Sequence, residues 1–167
     1  MQRQLPEVVD FLKQVDTNSC FEGSWPLSRL DRLRQLVSSD EGELIASVRF
    51  STRSGLRCLD GTVSAQLVLE CQRCLQPLTK DIQSEFHLAL VASEEEAADL
   101  PKEFEPLDLV PGEQSLIDVL EDELLLSLPI VALHDRDCSD DLHRKDEQET
   151  ASGDTYKPFA GLRDLMN

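Results

Sequence analysis

The chain has 167 residues, 33 of them acidic and 16 basic, for a net charge of −17. That length predicts one domain with a modest core, and so negative a field repels a phosphate backbone, which argues against direct RNA or DNA binding and favours basic partners. No apolar run approaches the roughly 20 residues that span a bilayer, and the N-terminal stretch lacks a signal peptide's apolar core, so a cytoplasmic protein without membrane insertion is expected.

Residues 1–38 read as a helical lead-in. Leu27, Leu30, Leu33 and Leu36–Val37 recur at helical spacing with Arg29, Arg32 and Arg34 between them. Pro26 suits the first turn of such a helix, where its missing N–H costs nothing. The simplest role for these arginines is a solvated face paired with the chain's own acids.

From residue 42 to 92 the period changes to two. Leu44, Ala46, Val48 and Phe50 alternate with polar residues, as do Val63, Ala65, Leu67 and Leu69, and later Ile82, Phe86, Leu88 and Leu90. Such alternation predicts half-buried strands, and the short links predict antiparallel pairing. Ser54–Gly55 is the expected first turn, and Asp60–Gly61 a turn or a bulge.

Residues 93–113 are acidic and rich in proline, an excursion from the sheet with a short helix near Ser93–Asp99. A regular helix is predicted over 115–128, with Ser115 as N-cap and Pro129 beyond its end. Residues 137–155 read as a flexible acidic linker and 156–167 as a short amphipathic segment carrying Phe159 and Leu162. The expected fold is therefore one α+β domain over residues 1–136. Its antiparallel sheet should curve toward a barrel, covered by helices from the N- and C-terminal parts.

Cys71-Gln72-Arg73-Cys74 is the sharpest local feature, placed between two predicted strands. A C-x-x-C turn is half of a zinc site, and the other half would come from His134 with Cys138, or from His87 or His143. A complete second C-x-x-C is absent, so a metal-free structural turn is the expected reading, with zinc and a redox pair as the alternatives. The five cysteines are odd in number and scattered, which argues against a disulfide framework.

Catalysis finds little support. There are three histidines, no phosphate-cradling glycine loop and no G-x-S-x-G or H-E-x-x-H. On the 115–128 helix, Ile117, Leu120, Leu124 and Leu128 line one face, while Asp122 and Glu123 point away from it. Glu121 falls roughly 40° from Ile117, so it must be paired internally, an arginine of the lead-in helix being the natural partner, or face a partner protein.

Three segments in order, Leu69–Pro77, Leu120–Pro129 running on to His134–Asp135, and Lys157–Leu162, closely resemble the YceD family of large ribosomal RNA subunit accumulation proteins. The resemblance covers nearly the whole chain. It implies a role in building the large ribosomal subunit, and it supplies no catalytic residues. Many relatives carry several cysteines after the position of Pro129, where this chain keeps Cys138.

The expected function is thus that of a non-catalytic, acidic adaptor for a basic ribosomal protein or assembly factor. Gln72, Arg73, Glu121, Asp122, Glu123, Phe159 and Leu162 are its candidate contacts. One alternative is RNA binding through Arg29–Arg34 with Arg49, Arg53 and Arg57. The other is partnership with a phospholipid-synthesis enzyme, suggested by the family's typical gene neighbours.

Overall fold

The alternating apolar residues of the middle of the chain build the sheet that organises everything else. In the computed structural model, which describes residues 5–139, three long strands run antiparallel: β3 (Glu43–Arg53), β4 (Leu56–Glu70) and β5 (Pro77–Val91). Leu44, Ala46, Val48 and Phe50 of β3, Val63, Ala65, Leu67 and Leu69 of β4, and Ile82, Phe86, Leu88 and Leu90 of β5 are all buried, as period-two alternation requires.

Ser54 and Gly55 turn β3 into β4 with both φ angles positive, at 52° and 85°, the backbone twist that a two-residue hairpin favours. Asp60–Gly61 is neither turn nor bulge. It lies inside β4, with Gly61 opposite Val48 and Phe86 in register. A Cβ at Gly61 would come within 2.6 Å of Phe86 Cζ and 2.8 Å of the Ser47 carbonyl oxygen, so close packing explains the glycine.

Two edge strands complete the sheet, in the order β2-β3-β4-β5-β6. β2 (Cys20–Pro26) pairs antiparallel with β3 along its whole length. β6 (Glu105–Asp108) pairs parallel with the end of β5. Its crossover is the acidic excursion, which contains the short helix α2 (Glu94–Ala98), capped by the Ser93 side chain. The sheet is therefore mixed rather than wholly antiparallel. It is also open: β2 and β6 do not pair, so the expected curvature toward a barrel does not become a closed barrel.

The lead-in departs furthest from expectation. It begins with the short strand β1 (Val8–Asp10), followed by the helix α1 (Phe11–Asp16) and then β2. Leu27, Leu30 and Leu33 are buried as their pattern demands, but Leu27 and Leu33 open two separate 3₁₀ turns, Leu27–Arg29 and Leu33–Gln35, and Leu30 lies between them. A repeat of three suits the 3.0 residues of a 3₁₀ turn as well as an α-helix. Pro26 closes β2 and precedes the first of these turns.

β1 pairs with β7 (Glu113–Ser115) in a separate two-stranded sheet, which delivers the chain into the helix α3 (Leu116–Leu126). Ser115 is its N-cap, accepting from the Asp118 N–H. Leu116, Leu120 and Leu124 are fully buried, and α3 packs on β4 and β5. Phe11 of α1 meets Phe50 edge-on, ring centroids 5.3 Å apart. Helices from both sides of the strand region thus cover the sheet. The 156–167 segment with Phe159 and Leu162, and all but the first residues of the 137–155 linker, lie outside the described residues.

Candidate metal centre and acidic face

The tip of the β4–β5 hairpin is Cys71–Gln76, and its backbone is tightly folded. Cys71 N–H donates to the Gln76 carbonyl at 2.9 Å, and Leu75 N–H donates to the Cys71 carbonyl at 2.8 Å. Leu75 sits at φ 58°, a conformation a leucine adopts only at a cost. Cys71 and Cys74 are fully buried beneath this turn.

Residues 130–138, which follow α3, fold back across the tip. The Gln72 N–H donates to the Ala132 carbonyl at 2.8 Å and the Gln72 side-chain amide to the Ile130 carbonyl at 3.4 Å. Arg73 donates to the Arg136 carbonyl at 3.1 Å and pairs with Asp137, while Lys80 pairs with Asp135. Gln72 and Arg73 therefore hold this segment in place.

The fold-back brings Cys71, Cys74, His134 and Cys138 together, with their ligand-type atoms all within 4.8 Å of one another. Cys71 Sγ lies 3.7 Å from Cys138 Sγ, and Cys74 Sγ lies 3.4 Å from His134 Nδ1. The other ring nitrogen, Nε2, is 3.2 Å from the Pro77 carbonyl. A carbonyl only accepts, so Nε2 carries the proton and Nδ1 turns a lone pair toward the thiols.

The thiols are electrostatically unequal. Burial pushes Cys71 up, but the backbone N–H groups of Cys74, Arg73 and His134 and the Cys74 thiol more than offset it, bringing its pKa to about 5. Burial, with contacts to Cys74 and Cys71 and their charge, pushes Cys138 up to about 11. The two thiols titrate together, so Cys71 is the more acidic and Cys138 the less acidic end of one shared charge.

A second constellation lies where α3 meets the lead-in. Glu121 is 4% exposed. One carboxylate oxygen accepts from the backbone N–H groups of Arg32 and Leu33, both at 2.9 Å, and the other accepts from Arg32 Nε at 3.0 Å. Arg32 also pairs with Asp122 and donates to the Asp118 carbonyl at 3.1 Å. This is the internal pairing that the position of Glu121 on the helical wheel suggested.

Glu123 differs from the sequence reading, which pointed it away from the apolar face. It is 8% exposed, and among the described residues no donor reaches its carboxylate. Burial, then the charges of Glu105 and Asp122, raise its pKa above the ordinary carboxylate value. Glu105 belongs to β6, a strand in the proline-rich stretch. Only the strand pairing that places it could have revealed this acidic neighbourhood.

A cavity of about 1060 Å³ lies away from both sites, over β2 and β3 between Leu5, Phe21 and Ser64. Its described lining holds one carboxylate, Glu22, and one thiol, Cys20. Among the described residues, no helix is long and apolar enough to cross a membrane.

Compared with known proteins, residues 59–166 match the family described as large ribosomal RNA subunit accumulation protein YceD. The chain is 33% identical over 133 residues to the large ribosomal RNA subunit accumulation protein YceD of Haemophilus influenzae, covering 78% of this chain and 76% of that one. No solved structure gives a significant match.

Proposed function

The chain belongs to the YceD family, and from that membership we propose that it serves the accumulation of large-subunit ribosomal RNA as a non-catalytic cytoplasmic adaptor. It binds a basic ribosomal protein or assembly factor through its acidic surface. The family name carries the ribosomal part of this reading.

The choice of a protein over RNA as direct partner rests on four of the six arginines that RNA binding would use. Arg29 pairs with Glu7, Arg32 with Glu121 and Asp122, Arg34 with Asp31 and Asp40, and Arg53 with Asp60. A phosphate would have to displace a carboxylate at each of them, against a chain charge of −17.

Acidic side chains stand on the other side of the balance. Asp122 and Glu105 are exposed beside the buried carboxylate of Glu123. A cationic partner there relieves like-charge repulsion as it docks, and complementary fields speed the encounter.

The test is an affinity pull-down from native cytosol at low and moderate salt, with and without nuclease. Ribosomal or assembly proteins retained after nuclease, and weakened by salt, are the expected result. Their loss on nuclease treatment would make RNA the bridge. Recovery of a phospholipid-synthesis enzyme without ribosomal proteins would overturn the adaptor reading.

A further inference from the structure

Three buried thiols and a half-buried imidazole, gathered from segments some sixty residues apart, call for a physical reason. We propose that Cys71, Cys74, Cys138 and His134 bind one zinc ion, through three Sγ atoms and Nδ1, and that the ion clips residues 130–138 onto the β4–β5 hairpin.

Two of the six ligand separations match one tetrahedral centre, and all six lie within 4.8 Å. Zinc–sulfur bonds of about 2.3 Å and a zinc–nitrogen bond of about 2.05 Å put neighbouring sulfurs about 3.8 Å apart and a sulfur and nitrogen about 3.5 Å apart. The observed separations are 3.7 Å for Cys71–Cys138 and 3.4 Å for Cys74–His134. A disulfide needs its sulfurs at about 2.05 Å. Thiolates with one imidazole select zinc over magnesium or calcium, which take oxygen ligands.

The surroundings are those of a ligand set already oriented. The Pro77 carbonyl holds the proton on Nε2 of His134, which frees Nδ1 for the metal. The C-x-x-C turn directs backbone N–H groups at the Cys71 sulfur, where they neutralise part of the charge that thiolates bring.

Four protein ligands leave no position for substrate. The three cysteines are at most 1% exposed, so the site is structural rather than catalytic. Its consequence is mechanical. Residues 130–138 contain no helix or strand, yet they bury Ala132 and Cys138 and place Ile130 (95% exposed) and Val131 beside the hairpin tip. The ion fixes that arrangement whichever partner the protein serves, so this inference stands or falls separately from the adaptor reading.

The experiment is metal analysis of the purified full chain, joined to cobalt substitution and mass spectrometry under non-reducing conditions. About one zinc per chain is expected, and it should be lost in Cys74→Ser and Cys138→Ser and retained in His134→Cys. Cobalt(II) added to the metal-free chain should give the intense visible bands of tetrahedral thiolate coordination. Removing the metal should also open residues 130–138 to protease.

Three results overturn the proposal. One is a folded wild-type chain that shows only octahedral cobalt. Another is zinc retained equally in Cys138→Ser. The third is a Cys71–Cys138 or Cys71–Cys74 disulfide in the isolated protein, which would make the cluster a redox pair. The cobalt and disulfide measurements use the wild-type chain, so they decide the question even if a cysteine variant fails to fold.

Discussion

Replacing Glu121 with alanine separates two roles that its carboxylate combines. Oε1 accepts from the backbone N–H groups of Arg32 and Leu33, and Oε2 from the Arg32 guanidinium. The Arg32 side chain is about half exposed, at 47%, so water can replace much of what the ion pair supplies. The Leu33 backbone donor has no such recourse. Leu33 is fully buried, and stranding a buried donor costs about 1–3 kcal/mol.

The stranded Leu33 donor, the half-buried Arg32 donor and a residual ion-pair contribution together give about 3–4 kcal/mol for Glu121→Ala. Glu121→Gln keeps one oxygen for the backbone donors and should cost about 1 kcal/mol. Arg32→Ala leaves the carboxylate its two backbone bonds and should likewise cost about 1 kcal/mol. Urea unfolding followed by far-UV circular dichroism reads these differences. With an m-value of about 2 kcal/mol/M, Glu121→Ala lowers the midpoint by about 2 M and Arg32→Ala by about 0.5 M. If Arg32→Ala costs as much as Glu121→Ala at unchanged m, the ion pair rather than the backbone is what Glu121 secures, and the reasoning fails.

Glu123 offers a test through pH. Its folded-state pKa lies above the ordinary value, so its ionisation costs stability as pH rises through that raised value, and the penalty is absent below the unfolded pKa. Glu123→Gln should therefore raise the melting temperature at pH 7, with the gain fading on acidification toward pH ~4. A variant less stable than wild type at pH 7 would show that the carboxylate is satisfied by a donor. Gly61→Ala should destabilise by about 1–3 kcal/mol through overpacking. Part of that loss should return in Gly61→Ala/Phe86→Leu, because the nearest obstacle is the Phe86 ring. Simple additivity in thermal melts of the two single variants and the double would refute the contact.

What the sequence determines here is what a chain segment settles with its near neighbours. Alternation placed the apolar faces of β3, β4 and β5, Ser54–Gly55 their first turn, and Ser93 and Ser115 the starts of α2 and α3. The C-x-x-C stood at the tip of a hairpin, and the position of Glu121 on the α3 wheel demanded a partner. Each of these rests on a period of two, on the α-helical period, or on a capping side chain, all local properties of the backbone.

The tertiary structure decided what depends on distant segments. β2, with Glu22, Gly23 and Ser24 at its centre, becomes a strand by pairing with β3, and β6 does so against β5 despite Pro106. Leu27, Leu30 and Leu33 of the lead-in kept their burial but lost their helix, while Leu36, read as part of the same repeat, is exposed. Glu123 became buried, within reach of the Glu105 charge on β6, only in the folded chain. His134 and Cys138 became neighbours of Cys71 and Cys74 only when the chain after α3 crossed the hairpin tip. Spacing along the chain identifies residues able to bind a metal, whereas convergence on one point depends on packing between elements.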